Sequence, residues 1–259
     1  MEAAVEARAM FPGSIPWGRM VWRLATSYPD SVLQRSALVR SPIYRGDNAP
    51  RGRGQPLLLI PGFLVGDWTL WAMAGWLRRL GYRPYLSGID WNVRAPEYTG
   101  ELLSQRVEYI VKETNSPLIL VGHSLGGMLA RFLVSSISPS IIHGQVRQVI
   151  AIGAPVHGSP QAAHPFLRLA VLALQRVGRA IGKPPPDVVE FLKKVATPVP
   201  QGVGSAAILS TTDEIVDWRN CVDPCGDNYL VTGRHLSLVV NHEVYRFLAT
   251  ILRNLPPIS

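Results

Sequence analysis

Residues 122 to 126 read Gly-His-Ser-Leu-Gly, which matches the G-x-S-x-G pattern of a nucleophile elbow. An apolar run at 118–121 precedes the pattern and predicts a buried strand, and a helical period follows it. So sharp a turn from strand to helix holds the serine in strained backbone angles and leaves no room for side chains at the two glycines. The spacing therefore predicts that Ser124 is a catalytic nucleophile. The alternative is a glycine-rich turn whose serine has no chemical role.

A serine hydroxyl needs a base to remove its proton, and that base is usually a histidine. The chain has six histidines. We predict His235 as the base, because it follows the last predicted strand at that strand's carboxyl end. His157 also follows a strand; it is the alternative base and is kept as a candidate substrate-binding residue. His123 immediately precedes the nucleophile and is not expected to fold back onto it, and His143 lies beyond the following helix.

An acid usually orients the histidine of such a site. Asp213 is the predicted acid, because it follows the strand that precedes the His235 loop. The resulting chain order is serine, aspartate, histidine, as in α/β-hydrolases. Glu214 and Asp217 lie on the same loop and are alternatives, and any of these acids could instead cap a turn.

Acyl transfer also needs hydrogen-bond donors for the oxygen atom that becomes negative. The backbone N–H of Leu125 is one predicted donor, since it opens the helix after the nucleophile. The backbone N–H of Phe63 is the second, because Gly62 allows a close approach and Pro61 has no N–H to offer. A plain turn at Gly62 is the alternative. Leu64, the next residue on this loop, is a candidate substrate-binding residue of an apolar acyl site.

Short apolar runs alternate with amphipathic segments from residue 56 onward, which is typical of βαβ units around a parallel sheet. Continuously apolar strands suit a sheet that is covered by helices on both faces. The sequence therefore predicts a three-layer α/β fold with a mostly parallel central sheet. The predicted strands are 57–60, 84–87, 118–121, 149–152, 206–210 and 229–232, and the predicted helices outside the insertion described next are 18–33, 69–80, 101–113, 128–135 and 243–253.

Two parts of the chain stand outside this alternation. Residues 1–54 are predicted to be a helical and irregular N-terminal extension packed on the core, and residues 55–259 are predicted to be the α/β domain. Within that domain, residues 158–204 contain two predicted helices, 165–181 and 187–196. A long helical insertion at this place predicts a cap or lid over the carboxyl ends of the strands. The alternative is a helix pair packed on the flank of the sheet.

The net charge is +8, but the basic residues are scattered and accompany no element that reads nucleic acid. We therefore expect a solvated surface with no nucleic-acid partner and no obligate protein partner, and with at most a transient contact at a lipid interface. The first residues carry acids where a secretory signal has positive charge, and no apolar stretch is long enough to span a bilayer. These features predict a cytoplasmic protein.

Cys221 and Cys225 are the two cysteines of the chain. No further cysteine or histidine lies near them in sequence, so the pattern predicts no metal site. A local disulfide in oxidising surroundings and two unreactive thiols are both compatible with the spacing.

Residues 55–253 resemble the α/β-hydrolase superfamily, and within it the lipases and esterases. Gly-His-Ser-Leu-Gly-Gly at 122–127 is the form common among lipases. Residues 153–158 are similar to their Gly-Thr-Pro-x-x-Gly loop, and residues 213–216 are similar to their Asp-x-x-Val acid loop. The usual His-Gly of the family's oxyanion loop is Pro61-Gly62 in this chain.

This resemblance implies hydrolysis of a small-molecule or lipid ester through an acyl-enzyme, with neither a metal nor an organic cofactor. A thioesterase, an acyltransferase or a polyester depolymerase would use the same residues. An α/β-hydrolase scaffold that binds without catalysing is the alternative from a different functional class, because fold alone does not decide function.

Overall fold

The computed structural model describes residues 17–136, 144–156 and 187–256, with side chains from residue 29 onward. Six strands form one sheet in the order β2-β1-β3-β4-β5-β6, and every neighbouring pair is parallel. The six predicted strands are confirmed, with ends that differ by a few residues. They are β1 (Pro56–Ile60), β2 (Arg83–Leu86), β3 (Leu118–His123), β4 (Val146–Ile152), β5 (Gly204–Ser210) and β6 (Asp227–Val231).

Residue chemistry marks some of the helix termini. At the start of the last helix the Asn241 side chain accepts the backbone N–H of Glu243, and Asn115 ends the helix before β3 in a left-handed conformation. The described α-helices are α1 (Trp17–Arg40), α2 (Pro42–Arg45), α3 (Trp71–Arg79), α4 (Pro96–Thr114), α5 (Leu125–Ser136), α6 (Val188–Ala196) and α7 (His242–Asn254). Short 3-10 helices cover Asp67–Leu70, Trp218–Cys221 and His235–Val240.

Helices cover both faces of the sheet, and β1 shows how. Leu57 and Leu59 point to one face, where they share an apolar cluster with residues of α3 and α7. Leu58 and Ile60 point to the other face, where they cluster with residues of α4 and α5. Successive strand residues face opposite sides, so a strand buried throughout must be apolar at every position. The predicted three-layer α/β-hydrolase fold is confirmed.

The described part of the N-terminal segment lies on the α3 and α7 face. Leu38 of α1 is fully buried there, and α1 also contacts the 3-10 helix that begins at His235. The Trp76 indole N–H donates to the Ile43 carbonyl at 2.8 Å, which ties α2 to α3. None of the described helices is both long enough and apolar enough to cross a membrane.

The second helix predicted in the 158–204 insertion is α6, and it packs against α5, with the rings of Phe132 and Phe191 5.2 Å apart. The first predicted helix of the insertion lies outside the described residues, so the cap stays a prediction. Of the two possibilities for Cys221 and Cys225, the structure has two free thiols, the first buried and the second exposed.

Candidate active site

The turn between β3 and α5 holds Ser124 at φ +54°, in the left-handed region that non-glycine residues rarely enter. A side chain at Gly122 would overlap the backbone of Gly126, and one at Gly126 would overlap the Ile60 carbonyl of β1. The Ser124 N–H donates to the Ile152 carbonyl of β4 at 2.9 Å. The neighbouring strands therefore fix the strained serine, and both motif glycines are needed for close backbone contact.

Ser124, His235 and Asp213 meet at the carboxyl ends of β3, β5 and β6. The Nδ1 atom of His235 is 2.7 Å from Oδ2 of Asp213, and its Nε2 atom is 2.9 Å from Oγ of Ser124. An ionised carboxylate can only accept hydrogen bonds, so Nδ1 carries the proton and Nε2 is left to accept the serine hydroxyl proton. The side chains of the histidine and the aspartate are each 2% exposed. The line of hydrogen bonds is therefore shielded from water.

Asp213 keeps its charge despite this burial. Burial by itself would raise the pKa of this carboxyl, but the His235 ring and two backbone N–H groups together hold the pKa below its ordinary value. The two N–H groups belong to Ile215 and Val216, and each lies 2.8 Å from Oδ1. Oδ2 is thereby left to the histidine.

The backbone of His235 is held as firmly as its ring. Its N–H donates to Oε2 of Glu214 at 3.1 Å, and its carbonyl lies 3.0 Å from Nε2 of His123. Desolvation, with the nearby His235 as the second cause, lowers the pKa of His123 to about 3. His123 is therefore neutral, and its Nε2–H donates to the His235 carbonyl.

The other histidine and acids near the site make different contacts from those of His235 and Asp213. His123 does not bind the serine hydroxyl; it supports the base instead, a contact that the sequence reasoning missed. Glu214 holds the backbone of His235, and the Asp217 side chain accepts the N–H of Arg219 at the start of a 3-10 helix. Of the three acids on this loop, Asp213 is the one that reaches the His235 ring.

The loop after β1 passes directly beside the serine. A Cβ atom placed on Gly62 would lie 3.2 Å from Cβ of Ser124. Phe63 follows and is buried, and Leu64 is 42% exposed. Leu125 is the first residue of α5, where backbone N–H groups have no partner within the helix. Both predicted oxyanion donors thus lie on backbone segments that flank Ser124.

Other predicted features fall outside this geometry. His157, the alternative base and candidate substrate-binding residue, lies outside the described residues. Within the ranges that the structure describes, no group of three or more His, Cys, Asp or Glu side chains could hold a metal ion.

The sequence and the fold both resemble known proteins. The family model of lecithin:cholesterol acyltransferase matches residues 59–168, which is less than half of the chain. Among solved structures, the mature form of the Bacillus licheniformis lipase BlEst2 superposes with a TM-score of 0.58 at 16% identity, covering 80% of this chain and 94% of that one.

Two further solved structures give similar values. A metagenomic carboxyl esterase has a TM-score of 0.56 at 15% identity, with 79% of this chain and 76% of that chain covered. Lipase B of Aspergillus fumigatus has a TM-score of 0.57 at 17% identity, with 79% and 54% covered. The chain therefore has the α/β-hydrolase fold, and its structure is similar to those of lipases and esterases.

Proposed function

We propose that the chain hydrolyses carboxylic esters through an acyl-enzyme formed on Ser124. The observation that carries the proposal is the buried line of hydrogen bonds from Ser124 through His235 to Asp213, with its distances of 2.9 and 2.7 Å. The likeness of the fold to lipases and esterases supports the same reaction class.

In the first half-reaction the Ser124 Oγ atom bonds to the ester carbonyl carbon while Nε2 of His235 takes the hydroxyl proton. The electron pair of the carbonyl double bond moves onto its oxygen, which the backbone N–H groups of Phe63 and Leu125 stabilise. Asp213 keeps the imidazole oriented and stabilises its positive charge. When the intermediate collapses, the carbon–oxygen bond to the alcohol breaks and the departing oxygen takes the proton from Nε2.

In the second half-reaction a water molecule repeats these steps. Nε2 of His235 removes a proton from the water, the hydroxide oxygen bonds to the acyl carbon, and the bond to Ser124 Oγ breaks. The proton returns to Oγ, the carboxylic acid leaves, and the serine is restored. No group beyond the chain, the ester and water is needed for this balance.

Transfer of the acyl group to an alcohol is the second candidate, because the family model that matches residues 59–168 is that of lecithin:cholesterol acyltransferase. An acyltransferase would form the same acyl-enzyme on Ser124 and would use an alcohol where the hydrolase uses water. Product analysis with a labelled acyl ester and an added long-chain alcohol separates the two activities, since only transfer yields the new ester.

Substitution of Ser124 by alanine tests the proposal. The Ser124→Ala variant should lose turnover of p-nitrophenyl esters and labelling by a fluorophosphonate, because both need the Oγ atom. Ser41→Ala is the matched control: Ser41 is also buried, but it caps α2, so its loss should leave turnover and labelling intact. Ester turnover that survives in Ser124→Ala would rule out the assignment, and a wild-type chain that resists the fluorophosphonate would favour a binding scaffold.

The acyl group is the finer part of the proposal. Leu64 lies on the oxyanion loop and is 42% exposed, so an apolar acyl chain could pack on it. We expect medium-chain p-nitrophenyl esters to be cleaved faster than the acetate. Higher rates on aggregated than on monomeric substrate would support a lid in residues 158–204 and a transient contact with lipid. Equal rates would remove the lid and leave the serine mechanism untouched.

A further inference from the structure

Asn92 lies in the loop after β2 and is 1% exposed, although it belongs to none of the motifs. Its side-chain Nδ2 donates to the Pro61 carbonyl at 2.8 Å. Its backbone N–H donates to the Val65 carbonyl at 2.9 Å, and its carbonyl accepts the N–H of Leu64 at 3.2 Å. One residue thus binds the oxyanion loop on both sides of Gly62 and Phe63.

The oxyanion loop would not hold this shape by itself. Leu64 has φ +61°, a left-handed conformation that a branched, non-glycine residue adopts only when its surroundings impose it. A Cβ atom placed on Gly62 would lie 3.2 Å from Cβ of Ser124, so the loop runs close beside the serine and a small shift of the loop changes the approach of the Phe63 N–H to the reacting carbonyl. Three hydrogen bonds to Asn92 hold this loop: its Nδ2–H bond to Pro61 and its two backbone bonds to Leu64 and Val65.

Packing alone does not account for an amide at this position. Within the described residues the Oδ1 atom of Asn92 is buried and has no hydrogen-bond partner. Burial of an unpaired acceptor opposes folding, and an apolar side chain of similar size would avoid that penalty. What the amide adds is its Nδ2–H bond to the Pro61 carbonyl.

We infer that Asn92 is a positioning residue, which fixes the 61–65 loop so that the Phe63 N–H faces the oxygen that becomes negative in the transition state. The inference rests on the proposed function and deepens it, because it names the side chain that aligns the second oxyanion donor. Asn92 touches neither Ser124 nor the substrate in this role. It acts through the backbone of the loop.

Hydrogen bonds of Asp67 also join the loop after β1 to the loop after β2, and these bonds remain when Asn92 is changed. The Asp67 carboxylate accepts the hydroxyl of Ser87 at 2.6 Å and the N–H of Gly88 at 2.7 Å, and the Asp67 N–H donates to the Ile89 carbonyl. These bonds join the same two loops at residues 67 and 87–89, away from Gly62. The Asn92→Ala variant therefore loses the Nδ2–H bond to Pro61 next to Gly62, while the backbone bonds of residue 92 and the Asp67 contacts keep the loops paired.

The experiment compares wild type, Asn92→Ala and the matched control Asn228→Ala, which loses a side-chain amide bond to the Asp223 carbonyl away from the site. Active sites are counted by fluorophosphonate titration, and kcat per site, KM and the Ki of a trifluoromethyl ketone are measured. Loss of a whole oxyanion donor costs about 10²- to 10³-fold, so we expect kcat in Asn92→Ala to fall by about 10- to 100-fold. The ketone also forms an oxyanion on Ser124, so its Ki should rise by the same factor while KM stays unchanged.

Two results would overturn the inference: an unchanged kcat per site and Ki, or a loss confined to KM. Should Asn92→Ala fail to fold, the isosteric Asn92→Asp variant gives the same test. Its ionised carboxylate cannot donate to the Pro61 carbonyl, whereas its protonated form can. The ratio of variant to wild-type kcat per site should then rise as the pH falls, and a constant ratio contradicts the role. A wild-type chain that is neither labelled nor active would instead refute the proposed function, and the inference with it.

Discussion

Asp213 divides its two oxygens between different tasks. Oδ1 accepts the backbone N–H groups of Ile215 and Val216, and Oδ2 accepts Nδ1–H of His235. The first pair of bonds fixes the carboxylate plane, so the second oxygen faces the imidazole without any freedom to turn away. The effect of an amide at this position follows from that division.

In Asp213→Asn the amide oxygen keeps the two backbone N–H groups, and the NH2 group then faces Nδ1 of His235. Nδ1 must accept this bond, so the proton moves to Nε2 and the ring can no longer take the proton of Ser124. We expect kcat to fall by about 10⁴-fold with little loss of stability, measured with p-nitrophenyl esters. Asp217→Asn on the same loop is the control and should retain activity. The opposite pattern would assign the acid to Asp217.

His123 makes the stability of the fold depend on pH. Its pKa is lowered to about 3 in the folded chain and returns to its ordinary value near 6.5 on unfolding, so between these values the unfolded chain binds more protons. The free energy of unfolding should therefore fall with decreasing pH in this window, by up to about 1.4 kcal/mol per pH unit from this group. His123→Gln keeps a donor for the His235 carbonyl but cannot be protonated, and should show a shallower slope.

Urea unfolding at several pH values between 4 and 7 measures the slope. His242→Gln is the control, because His242 is exposed at the start of α7. If His123→Gln and wild type lose stability equally on acidification, His123 is not the group responsible.

At the scale of elements, the elbow depends on three segments that touch with no side chain between them. Gly126, in the first turn of α5, lies against the end of β1, and Gly122, near the end of β3, lies against Gly126. These contacts set the distance from the nucleophile turn to the oxyanion loop. A single methyl group would separate the segments.

Gly126→Ala should lower both activity and stability, because its Cβ would overlap the Ile60 carbonyl and push α5 away from β1. We expect a loss of about 1–3 kcal/mol in the free energy of unfolding and a lower kcat per titrated site. Gly75→Ala is the matched change, since a Cβ there meets only the Arg79 side chain at 3.7 Å and α3 would gain about 1 kcal/mol of helix propensity. Thermal unfolding and ester turnover are measured for both variants. Unchanged stability and turnover in Gly126→Ala would contradict the predicted overlap with the Ile60 carbonyl.

At the scale of the whole molecule, one buried ion pair links parts that lie far apart in sequence. The Arg131 side chain of α5 is 2% exposed, and its Nη1 atom lies 2.5 Å from Oδ2 of Asp223 in the turn before β6. The same guanidinium donates to the carbonyls of Val195 and Thr197 at the end of α6. The helix that follows the nucleophile is thereby joined to the last strand and to the end of the 158–204 insertion.

Removal of one member of this pair leaves a buried charge alone. Asp223→Ala should therefore destabilise the chain by about 3–5 kcal/mol, whereas Glu113→Ala, which breaks the more exposed pair with Arg83, should cost at most about 1 kcal/mol. Denaturant unfolding gives both values. Similar losses in the two variants would mean that the buried pair of Arg131 and Asp223 stabilises the fold no more than the exposed pair of Arg83 and Glu113.

The sequence was sufficient to predict the sheet and the three side chains that meet at its edge, because both depend on local patterns. Apolar runs mark the strands, and Ser124, Asp213 and His235 each follow one of them. The supporting contacts could not be predicted. His123 and Asn92 act on partners 112 and 31 residues away, and no local motif encodes such a pairing before the fold is known. The first helix was also predicted too short, since α1 continues through Pro29 to Arg40.

His235 is hydrogen-bonded at all four of its polar atoms: both ring nitrogens, the backbone N–H and the carbonyl. A free histidine side chain samples several rotamers, and confining it to one carries an entropic cost. Here that cost is met once, when the chain folds, and is not repeated in each catalytic cycle. The His235 side chain therefore loses no further rotamer entropy when the transition state forms.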